Sequence, residues 1–208
     1  MDNKNNFPPQ YQNKQPGKEG EMYPKPLYLG SWYKGSEKLL QKKAIVTGGD
    51  SGIGRAVSIF FAREGADIAI IYYDEHEDAR KTQEMVEKEG VKCVLIPGDL
   101  KDPAFCKQAV KRVYKELGGI NILVNNAAFQ PFQNDLESVD EEQLLNTFKT
   151  NVFSYFFMAK YCMKYLEKND VIINTSSVTA YRGSSHLLDY VSTKSAEIGL
   201  TRSLAKIL

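Results

Sequence analysis

A phenol and an ammonium stand four residues apart in Tyr190-Val191-Ser192-Thr193-Lys194, so a helix would put both on one face. A free phenol titrates near pH ~10, too high for base chemistry at neutral pH, and a fixed cation beside it lowers that value by favouring phenolate. Tyr190 is therefore a candidate proton donor and acceptor, with Lys194 supplying the charge; a surface tyrosine stacked over a lysine has the same spacing. Thirteen residues earlier, the apolar run from Val171 closes in Asn174-Thr175-Ser176-Ser177, which brings hydroxyls to one end of an extended segment. Ser177 could hold a substrate oxygen beside Tyr190. Asn151 sits in a very apolar stretch, where an unsatisfied buried amide costs ~1–3 kcal/mol. It needs a partner, whether it serves a site or only holds backbone.

A second set of residues could bind anions. Ala44-Ile45-Val46-Thr47-Gly48-Gly49-Asp50-Ser51-Gly52-Ile53-Gly54 passes from a strand pattern through a glycine turn into a helix pattern. Gly48 permits the tight turn, Gly52 lets backbone approach a pyrophosphate, and Gly54 permits close helix–strand packing, while N–H groups of the helix start, around Asp50, Ser51 and Ile53, face the anion. The spacing is GxxxGxG rather than GxGxxG, and an ordinary turn could use the same glycines. Gly49-Asp50-Ser51-Gly52 also matches the nucleophile tetrapeptide of trypsin-like proteases, but His76, in a charge cluster, and His186, in a loop, have no suitable context for a base. About twenty residues beyond Gly54, Tyr73 and Asp74 end the next strand, where an acid can accept hydrogen bonds from an adenosine ribose and repel a 2′-phosphate. With no Lys or Arg at Asp50 or Ser51, NAD is favoured over NADP; Asp74 would alternatively open the helix-capping cluster Asp74-Glu75-His76-Glu77.

These residues must be positioned by repeated βα units. Short apolar runs predict strands at 44–47, 67–72, 93–97, 122–125 and 171–175, with helices at 53–64, 78–89, 103–117, 141–166 and from about Tyr190 to the end. The fold class is α/β, a doubly wound parallel sheet in the order 3-2-1-4-5. Residues 1–41 read as a proline-rich extended arm and 42–208 as the Rossmann-type domain. From Met22 through Trp32 and Tyr33 the arm is too apolar to stay solvated, so it packs on the domain or on a neighbouring subunit; before Met22 a loosely attached tail is an equal alternative.

The chain has 208 residues and a formal charge of +1, which gives no bias toward nucleic acid or anionic membranes. Cys93, Cys106 and Cys162 lack CxxC spacing and, with two histidines, are too few for an all-Cys/His metal site; reduced thiols are expected. No apolar run reaches the ~20 residues of a membrane span, and the polar N-terminus does not read as a leader, which makes the cytoplasm the expected compartment. The helix over 141–166 is apolar on more than one face, which predicts a helix-mediated homo-oligomer, a dimer or tetramer.

Taken in order, Thr47-Gly48-x-x-x-Gly52-Ile53-Gly54, Asp99, Asn125-Asn126-Ala127-Ala128, Asn151, Ser177, Tyr190 and Lys194 resemble the short-chain dehydrogenase/reductase superfamily over residues 43–208. The arm is similar to that of the bacterial branch related to glucose/ribitol dehydrogenases and general stress proteins. The resemblance implies an Asn-Ser-Tyr-Lys tetrad. Tyr190 would exchange the substrate proton, Ser177 orient the oxygen, Lys194 lower the tyrosine pKa and bind the nicotinamide ribose, and Asn151 help hold a proton-relay water. Asp99 with Leu100 would contact adenine, and the Asn125–Ala127 turn the nicotinamide side. The implied reaction is hydride transfer between NAD and a small secondary alcohol, sugar, polyol or carbonyl. Ala128 stands where the family usually has glycine. Members continue with two more strands and a substrate loop, whereas this sequence stops at Leu208; without them, a dinucleotide-binding or redox-sensing module is the alternative reading.

Overall fold

A computed structural model describes residues 8–12 and 17–207. Five parallel strands, β1 (Lys43–Thr47), β2 (Asp67–Tyr72), β3 (Cys93–Pro97), β4 (Ile122–Asn125) and β5 (Val171–Asn174), form one sheet in the order β3-β2-β1-β4-β5. Ile45 is paired with Ala69 on one side and Leu123 on the other, and Val124 with Ile173. Helices α1 (Gly52–Arg63), α2 (His76–Glu87), α3 (Pro103–Leu117), α4 (Glu141–Phe148), α5 (Ser154–Cys162), α6 (Thr179–Arg182) and α7 (Leu188–Leu204) complete the chain.

Strands covered on both faces can be apolar at every position, and their side chains alternate between two cores. Ala44, Val46, Ile68 and Ile70 pack with Ile59 and Ala62 of α1 and with Ala79 and Val86 of α2. Ile45, Ala69 and Leu123 pack on the opposite face with Val110 and Val113 of α3 and Met158 and Cys162 of α5. At the sheet's end, β5 leaves Val171 and Ile173 exposed. All three cysteines are free and buried; burial pushes the Cys93 and Cys106 thiols up to about 12.

Two elements differ from expectation. The helix over 141–166 is interrupted by a π-helical turn at Lys149–Phe153 and ends at Cys162. Within it the Thr150 hydroxyl donates to the Asn146 carbonyl at 2.8 Å and Ser154 bonds back to Thr150, a pattern that loosens the regular ladder. The last helix starts at Leu188, before Tyr190, and the short α6 precedes it.

The arm packs on its own domain. Tyr33 meets the Phe60 ring at 5.3 Å and bonds Glu64, while Arg63 donates to the carbonyls of Leu29 and Gly30 at 2.9 and 3.1 Å. Before Met22 the chain is not a loose tail over residues 17–21, because Glu19 is buried against α1; residues 1–7 and 13–16 lie outside the described residues. No helix among the described residues is long and apolar enough to cross a membrane.

Candidate active site

The carboxyl ends of the strands are stitched together by short polar residues. Thr47 Oγ1 accepts the N–H groups of Asn126 and Ala127 at 2.9 and 3.1 Å, and Asn126 Nδ2 donates to the carbonyls of Thr47 and Gly48 at 3.2 and 3.3 Å. Asn125 is fully buried and donates to Asn174 Oδ1 at 2.9 Å, joining β4 to β5. In the glycine turn, Gly48 has φ 63° and Gly52 φ 52°. A Cβ on Gly54 would stand 1.9 Å from the Gly48 carbonyl oxygen, so α1 can approach β1 only with glycine there.

Above these strand ends lies a cavity of about 540 Å³, within the range of ligand pockets. Gly48, Asp50, Ser51 and Ile53 form one wall; Tyr73, Glu75, Asp99 and Leu100 form the second; Asn126, Ala127, Thr175, Tyr190 and Lys194 lie along the third. The sequence-predicted residues Asp74, Asn125, Asn151, Ser177, Gly52 and Gly54 are not on the wall itself. Next to Asp74 it is Glu75 that faces the space, and next to Asn125 it is Asn126.

Tyr190 is half-buried. Burial pushes its phenol above the ordinary range, a hydrogen bond with the Ser177 side chain opposes this, and the charge of Glu197 adds to the rise. Ser177 Oγ accepts from Thr179 Oγ1 at 2.8 Å and from the Thr179 N–H at 3.2 Å. Its own hydrogen is thereby left for the phenol.

Lys194 is buried and donates to the Thr175 carbonyl and to Glu197 Oε1, each at 2.8 Å, with its Nζ 5.4 Å from the ring centres of both Tyr190 and Tyr155. Burial lowers its pKa and Glu197 opposes that. The Tyr190 phenol is thus raised rather than depressed: burial dominates there, the opposing hydrogen bond comes from Ser177, and the Lys194 ammonium is engaged by a carboxylate. Asn151 finds the partners its burial requires. Its Oδ1 accepts the Phe129 N–H at 2.7 Å, and its Nδ2 donates to the Phe129 carbonyl at 2.9 Å and to Thr193 Oγ1 at 3.0 Å.

Sequence reasoning missed three carboxylates. Asp189 accepts the Tyr190 N–H at 2.8 Å, Gln133 Nε2 at 3.0 Å, Gln143 Nε2 at 3.2 Å and Thr147 Oγ1 at 2.6 Å, which pins α7 to α4. Its place directly before Tyr190 was the available signal. Glu197 is three residues past Lys194, a helical pairing distance. Glu19 had no local signal. Ser51 of the protease-like tetrapeptide donates to Asp50 Oδ2, while His76 bonds Tyr72 and His186 bonds the Gln133 carbonyl.

A parallel sheet with a glycine turn after its first strand, and a half-buried Tyr190 with a buried Lys194 opening on the same cavity at the strands' carboxyl ends, defines a Rossmann-type nucleotide-binding α/β protein. The chain belongs to the short chain dehydrogenase family, whose description matches residues 42–208. It is 52% identical over 202 residues to General stress protein 39 of Bacillus subtilis, covering 97% of this chain and 71% of that protein. It is 45% identical over 205 residues to Glucose and ribitol dehydrogenase of Daucus carota, covering 96% and 70%. A crystal structure of a short chain dehydrogenase from Burkholderia cenocepacia in complex with NADP superposes with a TM-score of 0.80 at 33% identity, covering 82% of this chain and 70% of that one.

Proposed function

We propose that the protein is a nicotinamide-dependent oxidoreductase acting on a small secondary alcohol or carbonyl compound, with sugars and polyols as the first class to try. The observation that carries this reading is that the glycine turn and the Tyr190–Lys194 pair face one cavity. The residues fit a dinucleotide: where a Cβ on Gly52 would stand there is open space, and Asp50, Ser51 and Ile53 around the start of α1 line the cavity. Asp99 and Leu100 would hold the adenine end, and Asn126 with Ala127 the nicotinamide end. When bound, the cofactor supplies or accepts the hydride.

In this reading Tyr190 gives its proton to the carbonyl oxygen during reduction and takes it back during oxidation, while Ser177 donates to the same oxygen. Lys194 holds a ribose hydroxyl and stabilises the phenolate. Asn151 fixes the Phe129 backbone and α7, and its helical turn is the place for a proton-relay water. Acidic residues at the β2 end, Asp74 and Glu75, and buried Asp50 favour NAD, although the Burkholderia relative was crystallised with NADP.

The test is Tyr190→Phe, which keeps ring packing and removes the acid. NADH binding, followed by fluorescence, should persist while carbonyl reduction falls by roughly 10²–10⁴. Near-normal turnover of the variant at saturating substrate would place the proton path elsewhere. NADH binding without turnover by the unsubstituted chain on any alcohol, sugar or carbonyl would favour a binding module.

A further inference from the structure

We infer that Glu19 is a positioning residue for the dinucleotide, a carboxylate carried in by the N-terminal arm that holds the β1–α1 turn in its binding shape. The inference rests on the dinucleotide reading of the cavity. Glu19 lies on a short 3-10 turn, Glu19–Glu21, and is 5% exposed between exposed Lys18 and Gly20. Its Oε2 accepts the Gly52 N–H at 2.8 Å and its Oε1 pairs with Nη1 of Arg55.

Gly52 opens α1, so its N–H has no intrahelical partner. Ser51 at the N-cap makes no side-chain cap, because its hydroxyl turns to Asp50 Oδ2 at 3.0 Å. A helix lacking its own cap is therefore capped from 33 residues away.

Arg55 carries the grip to the rest of the turn. Fully buried, it donates from Nη2 and Nε to the Asp50 carbonyl at 2.8 and 3.1 Å, from Nη2 to Asp78 Oδ1 at 2.9 Å and from Nε to Thr82 Oγ1 at 2.8 Å. The Tyr28 ring of the arm covers its guanidinium at 5.0 Å. The backbone on both sides of Ser51 is thus fixed, at the Asp50 carbonyl by Arg55 and at the Gly52 N–H by Glu19. Asp50, Ser51 and Ile53 line the cavity, whereas Glu19, Gly52 and Arg55 do not. The carboxylate shapes the wall without being part of it.

Charge alone argues the other way. A carboxylate at a helix N-terminus opposes a pyrophosphate arriving there, so removing it should tighten binding of any phosphate-bearing ligand. Ordering of the turn predicts looser binding. A merely structural role would lower the melting temperature and leave affinity alone.

The experiment is a set of titrations of the full chain and its Glu19→Gln and Glu19→Ala variants with NADH, ADP and adenosine. Glu19→Gln is isosteric, keeps an acceptor for Gly52 and loses one of the two carboxylate charges, with Asp78, that hold Arg55; it decides the matter alone if circular dichroism shows Glu19→Ala unfolded. We expect the Kd for NADH and ADP to rise roughly tenfold in Glu19→Gln, with adenosine affinity unchanged. Equal or tighter binding of NADH and ADP by the variant would overturn the inference while leaving the dinucleotide reading intact. Failure of the unsubstituted chain to bind NADH or ADP would overturn both.

Discussion

At Glu197 the protein has placed a carboxylate where solvent cannot reach it, three residues from Lys194 and close enough to Tyr190 and Tyr155 to raise both phenols. Burial raises its own pKa from 4.5 to about 7, against the pull of Lys194. Between those values the folded chain keeps a proton that the unfolded chain has released, so stability is lost as pH climbs through this window and levels off above it. Glu197→Gln has no such proton. The melting temperature of the unsubstituted protein should therefore fall relative to that of the variant between pH 4.5 and about 7, and parallel curves would show that the ion pair fully compensates burial. The phenol and ammonium that line the cavity, Tyr190 and Lys194, were legible from sequence because their spacing is local, four residues on one helix. Asp189, Glu197 and Glu19 were not, since what defines them is burial and, for Glu19 and Asp189, partners that only the tertiary fold delivers: Glu19 meets Gly52, and Asp189 meets Gln133 across 56 residues.

Among the elements, the strands were readable because burial on both faces leaves short runs dominated by Val, Ile and Leu, and β2, β3 and β4 have the bounds expected from those runs and the residues flanking them. The π-helical turn was invisible: Thr150 and Ser154 are ordinary helix residues in sequence, and only their bonds to the carbonyls before them betray the irregularity. The turn after β2 shows a subtler limit. A strand's period fixes which face a side chain takes only while the strand lasts, and past Tyr72 it is Tyr73 and Glu75, with Asp74 between them, that reach the cavity. Cofactor choice should be set by this turn. NADH is expected to bind more tightly than NADPH, and Glu75→Gln and Asp74→Ser should each narrow the gap by removing a charge that repels a 2′-phosphate. Equal affinities in the unsubstituted protein, measured by titration at one salt concentration, would reject the assignment.

For the molecule as a whole, the helical segment from α4 to α5 buries only part of its apolar surface. Leu144, Leu145, Phe153 and Phe156 are 40%, 44%, 42% and 52% exposed, while Tyr155 and Met158 face the core. We expect this apolar helix face to be covered in a homo-oligomer: sedimentation at micromolar concentration should give a dimer or tetramer, and Phe156→Glu should shift it toward monomer. Monomer alone in the unsubstituted protein would sink this reading. The arm shares the pattern, with Leu27 and Trp32 bare to solvent although Tyr28 and Tyr33 are packed. Composition marks residues 1–41 as separate from the domain, yet the Glu19 and Glu64 contacts run across that division, so it is no mechanical boundary.

The three cysteines carry a different consequence. Each is free and buried, and burial holds every thiol far above neutral pH. Thiolate is the reactive form, so peroxide and alkylating reagents meet almost none while the sheet stays closed. The sulfurs therefore act as a clock for opening of the core: the rate at which they become labelled counts excursions from the native state, and an environment that turns oxidising leaves the folded protein chemically unmarked at cysteine.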